Sequence, residues 1–200
     1  MEKSSGKKKT AVLISGRGSN LRSLIKYSKT KKSLIRIVLV VSDNFSAKGL
    51  NYANKSNINN IVIKYSNKKN FEDRLFKLLR RNKVDLICLA GFMKILSGKF
   101  IKKLNKTILN IHPSLLPKYS GGMDEDVHAK VLKNKDTETG CTIHFVTEAV
   151  DAGPIFIQKR CRVNSSDTVQ TLKTKVQALE GDAFLEAIPL FESKYHNKNG

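Results

Sequence analysis

The chain has 200 residues, which is enough for one domain with a substantial hydrophobic core and leaves little room for two. No uninterrupted apolar run is long enough for a transmembrane helix. The first ten residues, MEKSSGKKKT, are polar and basic, so they do not resemble a secretory signal. We therefore expect one domain over residues 1–200, with flexible tails at about 1–9 and 196–200.

The charge balance is strongly basic, with 37 Lys and Arg against 17 Asp and Glu and a net charge of +20. Such a balance can indicate nucleic-acid binding, but the lysines are spread along the chain rather than confined to one face. The three cysteines, Cys88, Cys141 and Cys161, are widely spaced and form no CxxC pair. Disulfides and a structural zinc site are therefore not expected, and the cysteine pattern fits a reducing cytoplasm.

Strands and helices are predicted to alternate along the first 111 residues. Short, almost wholly apolar runs predict buried strands at 11–15, 35–42, 60–66, 84–92 and 107–111. Apolar residues at helical spacing between these runs predict helices at 20–29, 47–56 and 70–83. This alternation is typical of an α/β protein with a Rossmann-like, mostly parallel sheet and helices on both faces.

The pattern changes after residue 122. A helix is predicted at 127–134, followed by strands at 141–146 and 155–163 that the segment TEAVDAGP joins into an antiparallel hairpin. A long helix is predicted from 167 to 191, and Glu180 falls on its apolar stripe. A carboxylate on a buried stripe requires a partner, so Glu180 is either in a structural ion pair or facing a ligand amine.

The segment SGRGSN, residues 15–20, connects the first strand to the first helix. Glycines let backbone amides turn inward, and a helix N-terminus adds positive potential, so Gly18, Ser19 and Asn20 could bind a phosphate. The segment is neither a P-loop nor a complete GxGxxG motif. It could equally be a tight turn in which Ser19 or Asn20 caps the helix.

The segment NIHPSLLP begins at Asn110, where the fifth predicted strand ends. Asn110 and His112 share one side of an extended chain, and an amide beside an imidazole suits a carbonyl-type oxyanion. No GxSxG motif is present, and the spacing of the histidines does not suit a metal site. Asp151, in DAGP, is either a turn aspartate or a carboxylate that orients His112 and raises its pKa. In parallel sheets, ligands bind at the carboxyl ends of the strands, so the segments SGRGSN and NIHPSLLP, which both begin at such ends, should face one crevice.

Four segments in the same order and spacing, VLISGRGSNL, LAGFMKILS, LNIHPSLLPKYSG and TIHFV…VDAGPI, resemble the phosphoribosylglycinamide formyltransferase family. The resemblance runs from about Lys9 to Phe191. It implies a single formyltransferase domain that transfers the formyl group of 10-formyltetrahydrofolate, its cosubstrate, to the amine of glycinamide ribonucleotide in purine biosynthesis. It also implies no metal, no nucleic-acid or membrane partner, a cytoplasmic location, and a monomer or homodimer.

The resemblance assigns roles to individual residues. The implied catalytic residues are Asn110, His112 and Asp151. The implied ribonucleotide-binding residues are Gly18, Ser19, Asn20 and Glu180. The implied folate-binding residues are Lys68, Met93, Lys94, Ile95, Leu96 and, again, Asn110. Lys68 departs from the family's usual arginine, and Gln177 stands where some members have lysine. The longer loop GGMDEDVH leaves open whether His128 lines the nucleotide site.

Two other classes of protein remain possible at this level. Methionyl-tRNA formyltransferase and formyltetrahydrofolate deformylase share the Asn-His-Asp set, but each would need an additional domain. A basic nucleotide- or RNA-binding α/β domain would fit the charge. It would leave the coincidence of Asn110, His112 and Asp151 unexplained.

Overall fold

The computed structural model describes residues 6–196, which form a seven-stranded sheet flanked by six helices. The strands are β1 Lys8–Ile14, β2 Ile35–Ser42, β3 Asn60–Val62, β4 Leu86–Leu89, β5 Thr107–His112, β6 Glu138–Phe145 and β7 Ile155–Arg162. The helices are α1 Ser19–Ser28, α2 Gly49–Lys55, α3 Lys68–Arg81, α4 Gly98–Leu104, α5 Asp124–Lys133 and α6 Val169–His196. The strand order is β3-β2-β1-β4-β5-β6-β7. Neighbouring strands from β3 to β5 pair in parallel, whereas the β5–β6 and β6–β7 pairs are antiparallel.

The central strands are buried on both faces because side chains alternate along them. In β1, Val12 and Ile14 pack into one hydrophobic core together with residues of α1 and α6. Ala11 and Leu13, on the opposite face, pack into a second core together with residues of α3 and α4. The predicted α/β fold, mostly parallel with an antiparallel hairpin and helices on both faces, is therefore confirmed.

Several predicted boundaries differ from the structure. The predicted tail over residues 1–9 is too long, because Lys8 and Lys9 already pair with Ile35 and Arg36 in the sheet. The helix α6 includes residue 196, and residues 1–5 and 197–200 of the two predicted tails lie outside the described residues. The helix α4, GKFIKKL, was not predicted. Its N-terminus is fixed locally by Ser97, whose Oγ accepts a hydrogen bond from the Phe100 amide at 3.1 Å.

The topology places a crevice at the carboxyl edge of the sheet. The parallel strands β1, β4 and β5 end side by side there. Residues 147–151, in the connection between β6 and β7, border the same crevice. This is the position at which parallel α/β sheets bind ligands. None of the helices within residues 6–196 is both long enough and apolar enough to span a membrane.

Candidate active site

A cavity of about 440 Å³ opens at this carboxyl edge. Its lining includes nearly every residue that the sequence singled out: Gly18, Ser19, Asn20, Met93, Lys94, Ile95, Leu96, Asn110, His112, Asp151 and Glu180. Lys68 is the exception, because it is an exposed residue in the first turn of α3 and does not line the cavity. The assignment of Lys68 to folate binding therefore stays a prediction.

The centre of the cavity brings Asn110, His112 and Asp151 together. The first two lie on β5, two residues apart, and Asp151 projects from the connection between β6 and β7. The Nδ1 atom of His112 lies 3.3 Å from Oδ2 of Asp151, and its Nε2 atom lies 3.0 Å from the carbonyl oxygen of Tyr119. The same Asp151 oxygen accepts a hydrogen bond from the Gly121 amide at 2.9 Å. The carboxylate is thus held in place from two sides.

The electrostatic balance at His112 differs from the expectation. Burial lowers the pKa of His112 below its ordinary value of 6.5, and nearby His144 adds to the fall, while Asp151 and the Tyr119 carbonyl oppose it. Asp151 therefore does favour the charged ring, as the sequence suggested, but desolvation outweighs it in the unliganded protein. Burial would raise the pKa of Asp151, yet the hydrogen bond from the Gly121 amide and the two neighbouring histidines hold it below its usual range. His112 and Asp151 therefore each have a pKa below the ordinary value.

His144 is a member of this centre that the sequence did not identify. It lies on β6 directly opposite Asn110, and its side chain is buried. Its Nε2 atom lies 3.0 Å from Nδ2 of Asn110 and 3.5 Å from Oδ1 of Asp151. A lone histidine in a strand gives no signal of such a role until the register of the two strands is known.

At one end of the cavity, the loop before α1 meets α6. Gly18 has a φ of 77° and forms the N-cap of α1 without any side-chain cap, so the alternative in which Ser19 or Asn20 caps the helix is wrong. A Cβ atom at position 18 would lie 2.5 Å from the Cα atom of Gly49, which explains why glycine is required there. The backbone amides of the first turn remain directed toward this end, as an anion site requires.

Two side chains at this end form hydrogen bonds with residues of α6. Asn20 is buried, and its Nδ2 atom donates to Oε2 of Glu180 at 2.7 Å, while Arg17 Nη2 donates to Oε1 of Gln177 at 2.7 Å. Glu180 is only 8% exposed and lines the cavity. Since the Asn20 amide donates to a carboxylate, an anion in this loop would depend mainly on the backbone amides, Ser19 and Arg17.

Lys173 is a second member of the lining that the sequence did not identify. It is 7% exposed, and its Nζ atom lies 3.1 Å from Oε1 of Glu125 in α5. His128 follows three residues later on α5, but it is buried and does not line the cavity. The sequence left open whether His128 lines the nucleotide site. In the structure His128 does not line the cavity.

The opposite end of the cavity is formed by residues 93–96. The side chains of Met93 and Ile95 are partly exposed, at 39% and 43%, which gives this end an apolar surface. The Met93 amide donates to Oγ of Ser15 at 2.8 Å, which joins this segment to the end of β1. The Nζ atom of Lys94 lies 3.7 Å from Oδ2 of Asp43 and 5.0 Å from the centre of the Tyr65 ring. The charge of Lys94 is thus already engaged by protein groups.

Together these features define a site for acyl-type chemistry, with amide and imidazole donors at its centre, an anion-binding turn at one end and an apolar segment at the other. Within residues 6–196, no group of three or more His, Cys, Asp or Glu side chains is arranged to hold a metal ion. A family model described as formyl transferase matches residues 8–188. The chain therefore belongs to the formyl transferase family.

Individual relatives show which members of the family this chain resembles. The chain is 44% identical over 190 residues to the trifunctional purine biosynthetic protein adenosine-3 of Bos taurus, covering 94% of this chain and 18% of the bovine protein. It is 38% identical over 176 residues to the phosphoribosylglycinamide formyltransferase of Haemophilus influenzae, covering 86% of this chain and 82% of that protein. The chain thus spans less than a fifth of the trifunctional relative and most of the monofunctional one.

Solved structures agree with this comparison. The phosphoribosylglycinamide formyltransferase of Anaplasma phagocytophilum superposes with a TM-score of 0.86 at 37% identity, covering 93% of this chain and 87% of the other. Glycinamide ribonucleotide transformylase 1 of Symbiobacterium toebii gives a TM-score of 0.88 at 34% identity, covering 94% and 89%. The resemblance seen in the sequence motifs thus extends to the whole fold.

Proposed function

We propose that this protein transfers the formyl group of 10-formyltetrahydrofolate to the amine of glycinamide ribonucleotide, a step of purine biosynthesis. The observation that carries the proposal is the convergence of Asn110, His112 and Asp151 in one cavity between an anion-binding turn and an apolar segment. The names of the monofunctional relatives, which share most of this chain's length, support the choice of substrate.

The two ends of the cavity suit two different substrates. The turn at Gly18 and Ser19, with Arg17 beside it, would bind the phosphate of the ribonucleotide through backbone amides and positive charge. Glu180 would accept a hydrogen bond from the substrate amine or ribose. Residues 93–96 would contact the pteridine of the folate through backbone groups and apolar side chains. Since the side chain of Lys94 is engaged by Asp43, Lys94 would contribute through its backbone.

The proposed mechanism is a direct transfer without a covalent enzyme intermediate. The amine nitrogen attacks the formyl carbon to form a new C–N bond, and the carbonyl oxygen becomes an oxyanion. Asn110 donates a hydrogen bond to that oxygen. His112 contributes its Nε2–H once the oxyanion replaces the Tyr119 carbonyl as its acceptor. The bond from the formyl carbon to the folate nitrogen then breaks, and a proton passes from the attacking amine to that nitrogen.

Asp151 makes this charge redistribution possible. It stays ionised because its pKa lies below the usual range, so it stabilises the imidazolium form of His112 when negative charge develops on the oxyanion. His112 can also carry the proton between the two nitrogens, because an imidazole can accept a proton at one point of the reaction and release it at another. No step of this scheme requires a metal ion.

The experiment that tests the proposal follows the absorbance of 10-formyltetrahydrofolate with the purified protein, with and without glycinamide ribonucleotide. The proposal requires that the folate be consumed only when the ribonucleotide is present. Equal consumption in its absence would instead identify a deformylase. Binding to RNA that weakens steeply with salt, without any consumption, would favour a basic nucleic-acid-binding domain.

The remaining expectations belong to the same proposal. We propose that residues 1–200 act as a single formyltransferase domain in the cytoplasm, a location that the three free cysteines support. The protein would act as a monomer or homodimer on its two small-molecule substrates, without a nucleic-acid or membrane partner.

A further inference from the structure

The position of His144 connects it to the amide of Asn110. The two residues face each other in the antiparallel pair of β5 and β6, and both line the cavity. Directly opposed residues in such a pair place their side chains on the same face of the sheet. The side chain of His144 is 2% exposed, so its hydrogen bonds form where water does not compete.

The neighbours of His144 determine which ring nitrogen carries the proton. Its Nδ1 atom lies 3.0 Å from the carbonyl oxygen of Phe145, and a carbonyl oxygen only accepts, so Nδ1 must carry a proton. Its Nε2 atom lies 3.0 Å from Nδ2 of Asn110, and an amide nitrogen only donates, so Nε2 must present a lone pair. The third neighbour, Oδ1 of Asp151, is 3.5 Å away, which is longer than an ordinary hydrogen bond. These contacts define neutral His144 with its proton on Nδ1.

This tautomer fixes the direction of the Asn110 amide. One N–H group of Asn110 is held by His144, and the same nitrogen keeps a second N–H for a ligand in the cavity. If the acceptor on His144 were lost, the amide could turn over and present its oxygen instead. An amide oxygen would repel an oxyanion that the N–H group should stabilise.

We propose that His144 is a positioning residue for formyl transfer, which acts by holding the Asn110 amide with its nitrogen available as a donor. The proposal rests on the function proposed above, since it takes Asn110 as the oxyanion donor. His144 itself need not touch either substrate.

Two substitutions separate this role from a purely structural one. In His144→Gln, the longer side chain can place a carbonyl oxygen near the former Nε2 position, where it can still accept from Asn110. In His144→Asn, the shorter side chain can place an N–H group near the former Nδ1 position, so the bond to Phe145 is kept while the acceptor for Asn110 is lost. His144→Gln therefore retains the contact with Asn110, and His144→Asn retains the contact with Phe145.

Steady-state kinetics should distinguish the two variants. We expect His144→Asn to lower kcat by about 10-fold to 100-fold, a part of the loss caused by removing an oxyanion donor, with both KM values changed by less than about threefold. His144→Gln should recover most of that loss. Equal losses in both variants, or near-normal turnover in His144→Asn, would overturn the proposal.

A double-mutant cycle tests whether His144 acts through Asn110. In an Asn110→Ala background, His144→Asn should cost almost nothing further, because the amide that it positions is gone. A full, independent loss in that background would show that His144 acts by another route and would also overturn the proposal.

A measurement on the wild-type protein keeps this test separate from that of the proposed function. The ¹⁵N NMR shifts of the His144 ring should show a protonated Nδ1 and an unprotonated Nε2 at neutral pH, with a coupling across the hydrogen bond to the Asn110 amide. A protonated Nε2 would refute the proposal whether or not the protein formylates the ribonucleotide. Consumption of folate without ribonucleotide would contradict the proposed function and leave this spectrum unaffected.

Discussion

Replacing Asp151 with Asn removes one negative charge from the centre of the site and changes little else. Asn has nearly the same size, and its side-chain oxygen can still accept the hydrogen bond that Gly121 donates to Asp151 at 2.9 Å. The lost charge lies 3.3 Å from Nδ1 of His112, and both side chains are largely buried, at 11% and 4% exposure. The substitution therefore tests charge rather than shape.

The size of the effect follows from this separation. Two opposite charges about 4 Å apart interact by about 4 kcal/mol at the effective dielectric of about 20 that suits protein sites. Removing one oxyanion donor typically lowers turnover by about 10²–10³, which corresponds to about 3–4 kcal/mol. Since imidazolium at His112 depends on Asp151, we expect Asp151→Asn to lower kcat by at least about 10², with both KM values little changed. The pKa of His112, already lowered by burial, should fall further.

The assay combines steady-state turnover with an NMR titration of His112 in the wild type and in the variant. Asp73→Asn is the matched control, because it removes the same charge from an exposed position on α3, outside the cavity. The control should behave as wild type in both measurements. An unchanged pKa of His112 in Asp151→Asn, together with near-normal turnover, would refute the role of the connection between β6 and β7 in completing the site.

Three further predictions concern other parts of the molecule. Glu180→Gln should keep the hydrogen bond from Asn20, so the KM for the ribonucleotide should rise more than that for the folate; equal weakening of both would indicate a structural role. Gly153→Ala would place a Cβ atom 1.8 Å from the Phe145 carbonyl oxygen. Denaturant unfolding should therefore show a free energy of unfolding lower by about 1–3 kcal/mol, together with reduced turnover, and wild-type values of both would contradict this. Iodoacetamide should label Cys161 before the buried Cys88 and Cys141, because burial raises the pKa of each of these two thiols to about 12. Mass spectrometry that shows Cys88 or Cys141 labelled first would contradict the burial argument.

The fold could be predicted from the sequence because its strands are short apolar runs with helices of clear period between them. The run at 35–42 coincides with β2, and the alternation along β1 explains how one strand contributes to two cores. The helix α4 was not predicted, although α2, which has the same length, was. The ends of β3 and β4 were placed too late, because apolar residues continue past the last residue that pairs in the sheet.

The site was predicted to the extent that its residues lie at the ends of strands. Asn110 and His112 could be placed beside the loop at Gly18, since a parallel sheet gathers such ends at one edge. Asp151 lies between two antiparallel strands, so the pattern left its role open and the resemblance assigned it. His144 could not, because its role depends on a register between β5 and β6 that the sequence does not specify. The assignment of Lys68 came from resemblance alone and stays a prediction, since Lys68 lies on the first turn of α3 and does not line the cavity.

The central claim is that this site transfers an intact formyl group directly to the amine of the ribonucleotide. The most direct test uses 10-formyltetrahydrofolate carrying ¹³C in the formyl group and follows the label by NMR after mixing with glycinamide ribonucleotide and the protein. The account predicts that the label moves into the formamide of the ribonucleotide at a rate that Asn110→Ala lowers by about 10² or more. Label appearing as free formate, or a rate of transfer unchanged by Asn110→Ala, would contradict it.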